Sequence, residues 1–106
     1  MAKLTTPADG ATHHHHNVGA NKFEWSNSYP SVSTGTHWRL KLGSAPFGYN
    51  YYFGSPVPFS QLYDSNPKPK LQSLSNQRCF AVVEWSTDQG RTWNNGGRYT
   101  TFKCKP

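Results

Sequence analysis

Alternation between apolar and polar side chains is the feature that most constrains the fold of this chain. The segment HWRLKL, residues 37–42, alternates in this way along its whole length. A period of two is that of a half-buried β-strand. The segment CFAVVEW, residues 79–85, is the strongest strand candidate, because its β-branched and aromatic residues suit a pleated surface. No window has a helical apolar period, so the sequence predicts an all-β fold.

The candidate strands number about seven and are separated by turns rich in Gly, Pro, Ser and Asn. They are Leu4–Pro7, Lys22–Trp25, His37–Leu42, Tyr49–Phe53, Val57–Leu62, Cys79–Trp85 and Arg98–Cys104. A chain of 106 residues is the size of one domain, and 15% aromatic residues among 34% apolar ones predict a core of a few large side chains. We therefore predict a single antiparallel β-sandwich domain over residues 1–106.

Charge and hydropathy restrict the partners of such a domain. The formal net charge is +6, but the lysines and arginines are scattered instead of forming a compact cluster. This disfavours nucleic acid, and binding through a basic aromatic surface remains a second alternative. No apolar run is long enough to span a membrane, so we predict no membrane insertion. The amino terminus has no apolar h-region, so no signal peptide is expected.

Four segments in order resemble a known family of modules. They are TTPADGAT, KFEWS, HWRLKLGSAPFGYNYYFGS and LQSLSNQRCFAVVEWSTDQGRTW. Together they look like the fibronectin type III-like and immunoglobulin-like modules of bacterial and phage surface proteins, which share a Pro-x-Asp-Gly start and a long strand that ends in Trp-Ser. In this chain SLSNQ stands where the family has a Leu-Pro corner. The resemblance implies a β-sandwich with a spacer, adhesion or binding role instead of catalysis.

The segment STDQGRTW, residues 86–93, also resembles the Asp-box hairpin of sialidases and other secreted β-proteins. The matching residues are Ser86, Asp88, Gly90, Thr92 and Trp93. We expect Asp88 to accept hydrogen bonds from backbone amides across the turn, Gly90 to adopt a positive φ, and Trp93 to cover the turn. A structural role is the main interpretation of this segment, and a loop that contacts a ligand is the alternative.

The two cysteines, Cys79 and Cys104, are compatible with a disulfide, two free thiols or half of a metal site. If strand 79–85 folds back on strand 98–104, Cys79 lies opposite Cys104 and Trp85 lies opposite Arg98. We therefore predict a disulfide. The tight turn at residues 86–93 would close in a tighter register than this pairing, so residues 94–97 are expected to absorb the difference as a bulge or a sheet crossing. A disulfide favours an extracellular, cell-surface or virion-surface location.

A run of four histidines, His13–His16, is a weak candidate for a metal site. Neighbouring strand residues point to opposite faces, so these four side chains cannot close one tetrahedral site by themselves. An affinity tag placed in a loop, or a solvated polar loop, is the simpler interpretation. We predict no metal and no cofactor.

The sequence contains no recognisable set of catalytic residues. The chain has five carboxylates, at least two of which look bound to turns, and they form no obvious pair for glycoside hydrolysis. No serine lies in a Gly-x-Ser-x-Gly elbow, and no nucleophile can be matched to a base. We therefore predict that the protein is not an enzyme.

Aromatic residues in FGYNYYFGS are the remaining functional signal, because they exceed what one face of a strand can bury. Two arrangements stay open. In one, Tyr51 and Phe53 enter the core while Tyr49 and Tyr52 lie on the rim. In the other, tyrosines of this segment meet a partner through their rigid rings.

Three functions follow. The first is a non-catalytic structural or adhesive module that meets other protein subunits, or copies of itself, through edge strands and exposed aromatics. The alternative is a carbohydrate-binding module for a polysaccharide, with Tyr49, Tyr52 and Trp93 as a stacking platform and Asn94 and Asn95 as hydrogen-bonding partners; Tyr51 belongs to the same candidate surface. Nucleic-acid binding is the third.

Overall fold

The computed structural model describes residues 2–14, 22–27, 37–58, 60–67, 76–95 and 97–105. Within these ranges the chain forms nine β-strands. They are β1 (Ala2–Thr6), β2 (Thr12–His14), β3 (Phe23–Asn27), β4 (His37–Gly43), β5 (Tyr52–Phe53), β6 (Val57–Pro58), β7 (Tyr63–Asp64), β8 (Gln77–Ser86) and β9 (Thr100–Lys105). The two long strands predicted from alternation, at residues 37–42 and 79–85, are β4 and β8.

The strands form two sheets. Sheet A has the order β1-β3-β7, and its neighbours are antiparallel. Sheet B has the order β2-β9-β8-β4-β5, with β6 also paired to β4. Pairing in sheet B is antiparallel except between β2 and β9, which are parallel. The predicted all-β architecture with two packed layers is therefore confirmed.

The core lies between the two sheets. Sheet A contributes Leu4, Phe23 and Trp25 to one buried cluster. Sheet B contributes the larger part, namely Trp38, Leu40, Leu42, Cys79, Ala81, Val83, Phe102 and Cys104. These residues follow the alternation of β4, β8 and β9, so the remaining residues of those strands point to the opposite side of the sheet, which we call the outer face of sheet B.

A corner at residues 7–11 takes the chain from sheet A to sheet B. The Thr6–Pro7 peptide is cis, and Gly10 has a φ of 79°. Asp9 Oδ1 accepts a hydrogen bond from the Thr101 amide at 2.9 Å, and the Gly10 amide donates to the Thr101 carbonyl at 2.7 Å. These bonds attach the corner to β9, so that β2 follows alongside it.

Two short segments differ from the prediction. Residues 12–14 form β2, although the histidine-rich sequence indicated a loop or a tag. The predicted strand 57–62 is reduced to Val57–Pro58, and the following pair, Tyr63–Asp64, belongs to sheet A. A strand of two or three residues is too short to show an apolar–polar alternation in the sequence. Such strands are determined by their pairing with distant parts of the chain.

Candidate functional site

A tight turn ends β8 and is closed by side chains of the STDQGRTW segment. Asp88 Oδ1 accepts hydrogen bonds from the Thr92 amide at 2.9 Å and from the Ser86 hydroxyl at 2.7 Å. Asp88 Oδ2 accepts from the Thr92 hydroxyl at 2.6 Å, and the Gly90 amide donates to Ser86 Oγ at 2.8 Å. The hydrogen bonds from Thr92, followed by that from Ser86, hold the pKa of the Asp88 carboxyl well below its ordinary value.

The backbone of this turn needs two left-handed residues. Gln89 has a φ of 62° and Gly90 a φ of 89°. Trp93 closes the turn from the other side, because its indole Nε1 donates to the Gly90 carbonyl at 3.1 Å. Ser86 is fully buried, while Gln89 lies in solvent. The segment therefore has the hydrogen bonds and conformations that were expected of a structural turn.

Charged side chains contact one another on the outer face of sheet B, next to this turn. Arg39 and Glu84 are opposite each other in the register of β4 and β8. Glu84 Oε1 accepts from Arg39 Nε at 2.6 Å, and Glu84 Oε2 lies 3.0 Å from Lys41 Nζ. Glu84 and Lys41 are both buried. A buried carboxylate with two cations forms a structural ion network, so it is not free to act as a catalytic base.

Two aromatic rings contact the Arg39 guanidinium. Its Cζ atom lies 4.2 Å from the centroid of the Trp93 ring and 4.8 Å from that of Phe53. Phe53 in turn contacts Tyr49, with centroids 5.1 Å apart and planes at 75°. Lys41 Nζ lies 5.6 Å above the Tyr49 ring. Tyr49, Phe53 and Trp93 thus form a connected surface around one guanidinium, with contacts within cation–π range.

The loop after β4 positions Tyr49. Asn50 Oδ1 accepts a hydrogen bond from the Ser44 amide at 2.9 Å, and the Gly48 amide donates to the Ala45 carbonyl at 3.0 Å. The loop also packs tightly against the end of β4, where a Cβ added to Gly43 would lie 2.5 Å from the Gly48 carbonyl carbon. Backbone contact of this kind requires glycine at position 43.

A second group of rings lies farther along the same face. Tyr99 packs edge-on against Phe80, with centroids 5.5 Å apart, and against Phe47, with centroids 5.6 Å apart. Phe80 is an outer-face residue of β8, since its neighbours Cys79 and Ala81 belong to the core. We call Tyr49, Phe53, Trp93 and Tyr99 the aromatic face. Tyr49 is 59% exposed, Phe53 51% and Tyr99 45%, whereas Trp93 is half-buried.

Tyr51 and Tyr52 do not belong to this surface. Both are partly buried and pack against the core. The Tyr52 hydroxyl donates to Asp64 Oδ2 at 2.6 Å, and burial, followed by this hydrogen bond, raises the pKa of Tyr52 above its ordinary value. The predicted stacking platform consisted of Tyr49, Tyr52 and Trp93, and the inclusion of Tyr52 is therefore wrong. Tyr52 is opposite Leu42 in the sheet and Phe53 is opposite Lys41, so Phe53 takes the outer position.

Asn94 and Asn95 serve the backbone more than a ligand. Asn94 exchanges two backbone hydrogen bonds with Trp85, at 2.8 and 2.9 Å. The Asn95 carboxamide oxygen accepts from the Gly97 amide at 2.8 Å, in a turn where Gly97 has a φ of 70°. Asn94 is exposed beside the turn, so of the two asparagines it is the one whose side-chain carboxamide remains at the surface.

Cys79 and Cys104 are buried free thiols, with Sγ atoms 3.2 Å apart. The predicted disulfide is thus not formed in this structure, and the predicted register is wrong. Cys79 is opposite Phe102, and Cys104 is opposite Gln77. A shift of two residues leaves every side chain on the same face, so alternation alone cannot distinguish the two registers. The contact with Cys104, together with burial, raises the pKa of the Cys79 thiol.

The mismatch with the turn is taken up before β9. Trp85 is bridged to Asn94, whereas Ala81 is paired with Thr100. On β8, three residues (82–84) separate Ala81 from Trp85, but five residues (95–99) separate their partners Asn94 and Thr100. The second segment, which includes Gly97, is therefore longer by two residues. The irregularity expected over residues 94–97 is displaced toward the C-terminal side. Trp85 is consequently not opposite Arg98.

The described histidines of the predicted metal candidate are separated by the pleat of β2. His13 is buried against Phe23 and Phe102, with ring centroids 5.0 and 6.1 Å apart, while His14 is exposed. A solvated loop is therefore wrong for His13. His15 and His16 lie outside the described residues. Among the residues that are described, no three His, Cys, Asp or Glu side chains are grouped so that they could hold a metal ion.

Comparison of the chain with protein-family models, with curated proteins and with solved structures gives no match. Within the described ranges, no helix is long and apolar enough to cross a membrane. Function is therefore inferred from the outer face of sheet B itself.

Proposed function

We propose that the chain is a non-catalytic structural or adhesive module of an extracellular assembly, at a cell or virion surface, and that the aromatic face contacts its partner. One observation is the main support. Four large hydrophobic residues are exposed among the described residues, and three of them, Tyr49, Phe53 and Tyr99, lie on one side of sheet B. Exposed rings grouped on one face are typical of interaction surfaces.

The sequence resemblance is the second support. Fibronectin type III-like and immunoglobulin-like modules have two packed β-sheets, and the two-sheet architecture of this chain is compatible with either type. In such modules the scaffold is rigid and the partner is chosen by exposed side chains. The Asp-box likeness of residues 86–93 agrees with a module of secreted proteins.

Rigid rings reduce the entropic cost of association. Arg39 is stacked by Phe53 and Trp93, while its Nε atom is bonded to Glu84. These contacts restrict the Phe53 and Trp93 rings before any partner arrives, so little side-chain freedom remains to be lost on binding. Sheet edges are a further contact region. Pro58 in β6 has no amide hydrogen and so blocks strand addition there, which leaves the end strands of the sheets, such as β2, as the edges that a partner strand could extend.

Self-association tests the version in which copies of this chain assemble. We expect the protein to sediment as oligomers that increase with concentration, and to give particles or filaments in electron micrographs. Tyr49→Ser/Phe53→Ser should shift it to monomer. Tyr63→Ser is the matched control, because Tyr63 is 38% exposed but lies in sheet A. A wild-type monomer at all concentrations, or equal effects of both variants, would contradict this version.

Carbohydrate binding is the second candidate, favoured by the connected Tyr49, Phe53 and Trp93 rings around Arg39. Aromatic rings stack on the apolar faces of sugars, and a guanidinium donates hydrogen bonds to their hydroxyls. A glycan array with the wild type and with Tyr49→Ser/Phe53→Ser tests it. We expect one glycan class to bind the wild type and not the variant, and silence on all glycans would exclude this candidate.

A further inference from the structure

Two like charges are directly opposite each other at the open end of the β8–β9 hairpin. Arg78 and Lys103 are partners in the register, and both are exposed. They point to the outer face of sheet B, because the alternating neighbours Cys79, Phe102 and Cys104 are in the core. Like charges directly across a strand pair destabilise a sheet. The pair therefore costs folding stability unless the charges are neutralised by a ligand.

No acidic side chain of the described residues compensates these two cations. The structure describes all five aspartates and glutamates of the sequence, and each of them makes other contacts or lies elsewhere in the fold. Glu84 binds Arg39 and Lys41, Asp64 accepts from Tyr52, Asp88 closes its turn, Asp9 binds Thr101, and Glu24 is on β3 in sheet A. Neither Arg78 nor Lys103 is joined in an ion pair to any of these five side chains. The pair therefore presents uncompensated positive charge to solvent.

The next row along the same face is aromatic. Phe80 follows Arg78 by two positions on β8 and is opposite Thr101. The edge-on contact with Phe80 holds Tyr99 beside this row, and Tyr99 remains about half exposed. Rows on one face of a strand are about 7 Å apart. A ring-shaped ligand could thus lie on Tyr99 while an anionic substituent reaches Arg78 and Lys103.

We propose that Arg78, Lys103 and Tyr99 form a binding subsite for the carboxylate or sulfate group of an acidic polysaccharide. The proposal deepens the adhesive role by naming a ligand, and it rests on that role. Arginine binds such anions in a bidentate manner, and a lysine opposite it adds a second charge-assisted hydrogen bond. Tyr99 supplies the apolar contact for the sugar ring.

Charge spacing favours a polysaccharide over a nucleic acid. A nucleic acid strand has a phosphate at every nucleotide, and its binding proteins supply cations along the whole groove. Toward the turn, the next described cations of the outer face, Lys41 and Arg39, are already paired with Glu84, which lies about 20 Å along β8 from Arg78. In the other direction, Lys105 lies one row beyond Lys103 on the same face of β9. The face therefore offers one short group of cations at its open end, followed by rings, which suits a ligand with sparse charges.

The test compares two double variants of the whole chain that remove the same charge. Arg78→Gln/Lys103→Gln removes the pair, and Arg91→Gln/Arg98→Gln removes two exposed arginines near the turn. Arg78→Lys/Lys103→Arg keeps both charges. The probes are hyaluronate and κ-carrageenan, which have a single carboxylate or a single sulfate per disaccharide, with neutral dextran and single-stranded oligothymidine, all titrated at about 0.15 M salt. Thermal unfolding of each variant accompanies the titrations.

We expect hyaluronate or κ-carrageenan to bind the wild type, and the Arg78→Gln/Lys103→Gln variant to bind that polysaccharide at least about tenfold more weakly. The Arg91→Gln/Arg98→Gln variant should change the affinity less than about threefold, as should the charge-preserving variant. The melting temperature of Arg78→Gln/Lys103→Gln should be equal to the wild-type value or higher, because a repulsion is removed. This last result separates lost contacts from lost folding.

Several results would overturn the proposal. They are no binding to either acidic polysaccharide, equal losses in the two glutamine variants, and tighter binding of oligothymidine than of the polysaccharides. Dextran binding as tight as that of hyaluronate and κ-carrageenan would also exclude an anion subsite. Each of these would leave the Tyr49→Ser/Phe53→Ser test of assembly unaffected, so the two proposals fail separately.

Discussion

Cys79 and Cys104 lie diagonally across β8 and β9, with their sulfur atoms 3.2 Å apart in the core. Right-handed twist brings one diagonal of an antiparallel pair closer than the other, which explains contact without direct opposition. The pair is therefore placed for oxidation, in which two thiols lose two protons and two electrons to an oxidant such as molecular oxygen and form one sulfur–sulfur bond.

We predict that protein produced in an oxidising compartment contains this bond. The intact mass, measured after acid quenching and denaturation, should increase by two hydrogens on reduction. Denaturation is essential because both thiols are fully buried and Cys79 has a raised pKa, so alkylation of the native protein would be slow even for free thiols. The two cysteines are 25 residues apart in the sequence, and closing a loop of that length should add about 3 kcal/mol to the free energy of unfolding.

Cys104→Ser is the control for that measurement, since it cannot form the bond and should show no change of mass on reduction. An unchanged mass for the wild type would refute the disulfide and would weaken the extracellular assignment with it.

The ion network on the outer face should be costly to break. Glu84→Gln leaves Arg39 and the buried Lys41 as neighbouring cations without a counter-charge, and we expect a loss of about 3 kcal/mol in the free energy of unfolding. Urea unfolding measures it. Glu24→Gln, an exposed acid of sheet A, should change stability by less than about 0.5 kcal/mol. Lys41→Met/Glu84→Leu should recover part of the loss, because the buried Lys41 charge is removed while only the half-buried Arg39 is left without a counter-charge. A loss in Glu84→Gln as small as that in Glu24→Gln would contradict the network.

The turn at Asp88 should confer acid-dependent stability. Because the pKa of Asp88 is lowered in the folded state, its contribution is complete above the ordinary pKa of about 3.9 and is lost as the pH falls through the lower folded-state pKa. The melting temperature of Asp88→Asn should therefore be below that of the wild type at pH 7. The difference should shrink as the pH falls below about 4. A difference that stays constant down to the lowest pH would show that the carboxylate charge has no part in the turn.

Tyr52 should have the opposite dependence on pH. Its pKa is raised in the folded state, so its contribution is complete below the ordinary pKa of about 10 and is lost as the pH rises through the folded-state pKa. Tyr52→Phe also leaves the buried Asp64 without its 2.6 Å donor, and we expect a loss of about 1–3 kcal/mol at pH 7. Tyr63→Phe is the control at an exposed position. Equal stability of the two variants at pH 7 and at alkaline pH would refute this role.

Alternation in β4 and β8 was sufficient to predict the two long strands and their buried sides. It was not sufficient to assign Phe53 to the outer face, which follows from Phe53 lying opposite Lys41 and Tyr52 lying opposite Leu42. That assignment needed the pairing of β4 with β5, which the sequence does not show. The ion network likewise depends on Arg39 being opposite Glu84, 45 residues away.

Short strands and the β8–β9 register were not predictable by the same means. The histidines of β2 have no strand period, and what holds His13 in the core is the corner bonded to Thr101. In the hairpin, both possible registers bury Cys79 and Cys104 equally well. The choice depends on how residues 95–99 fold, and local propensity does not determine that.

The two extra residues between Asn94 and Thr100 show where the length of this domain can change. Residues 95–99 lie in the sequence between the Trp85–Asn94 bridge and the Ala81–Thr100 pair, outside these pairs of the ladder, so the period of two does not restrict their number. An insertion of any length there can be absorbed while Thr100 stays opposite Ala81, with Phe102 and Cys104 buried behind it. This segment is therefore a graftable position for peptides of chosen size.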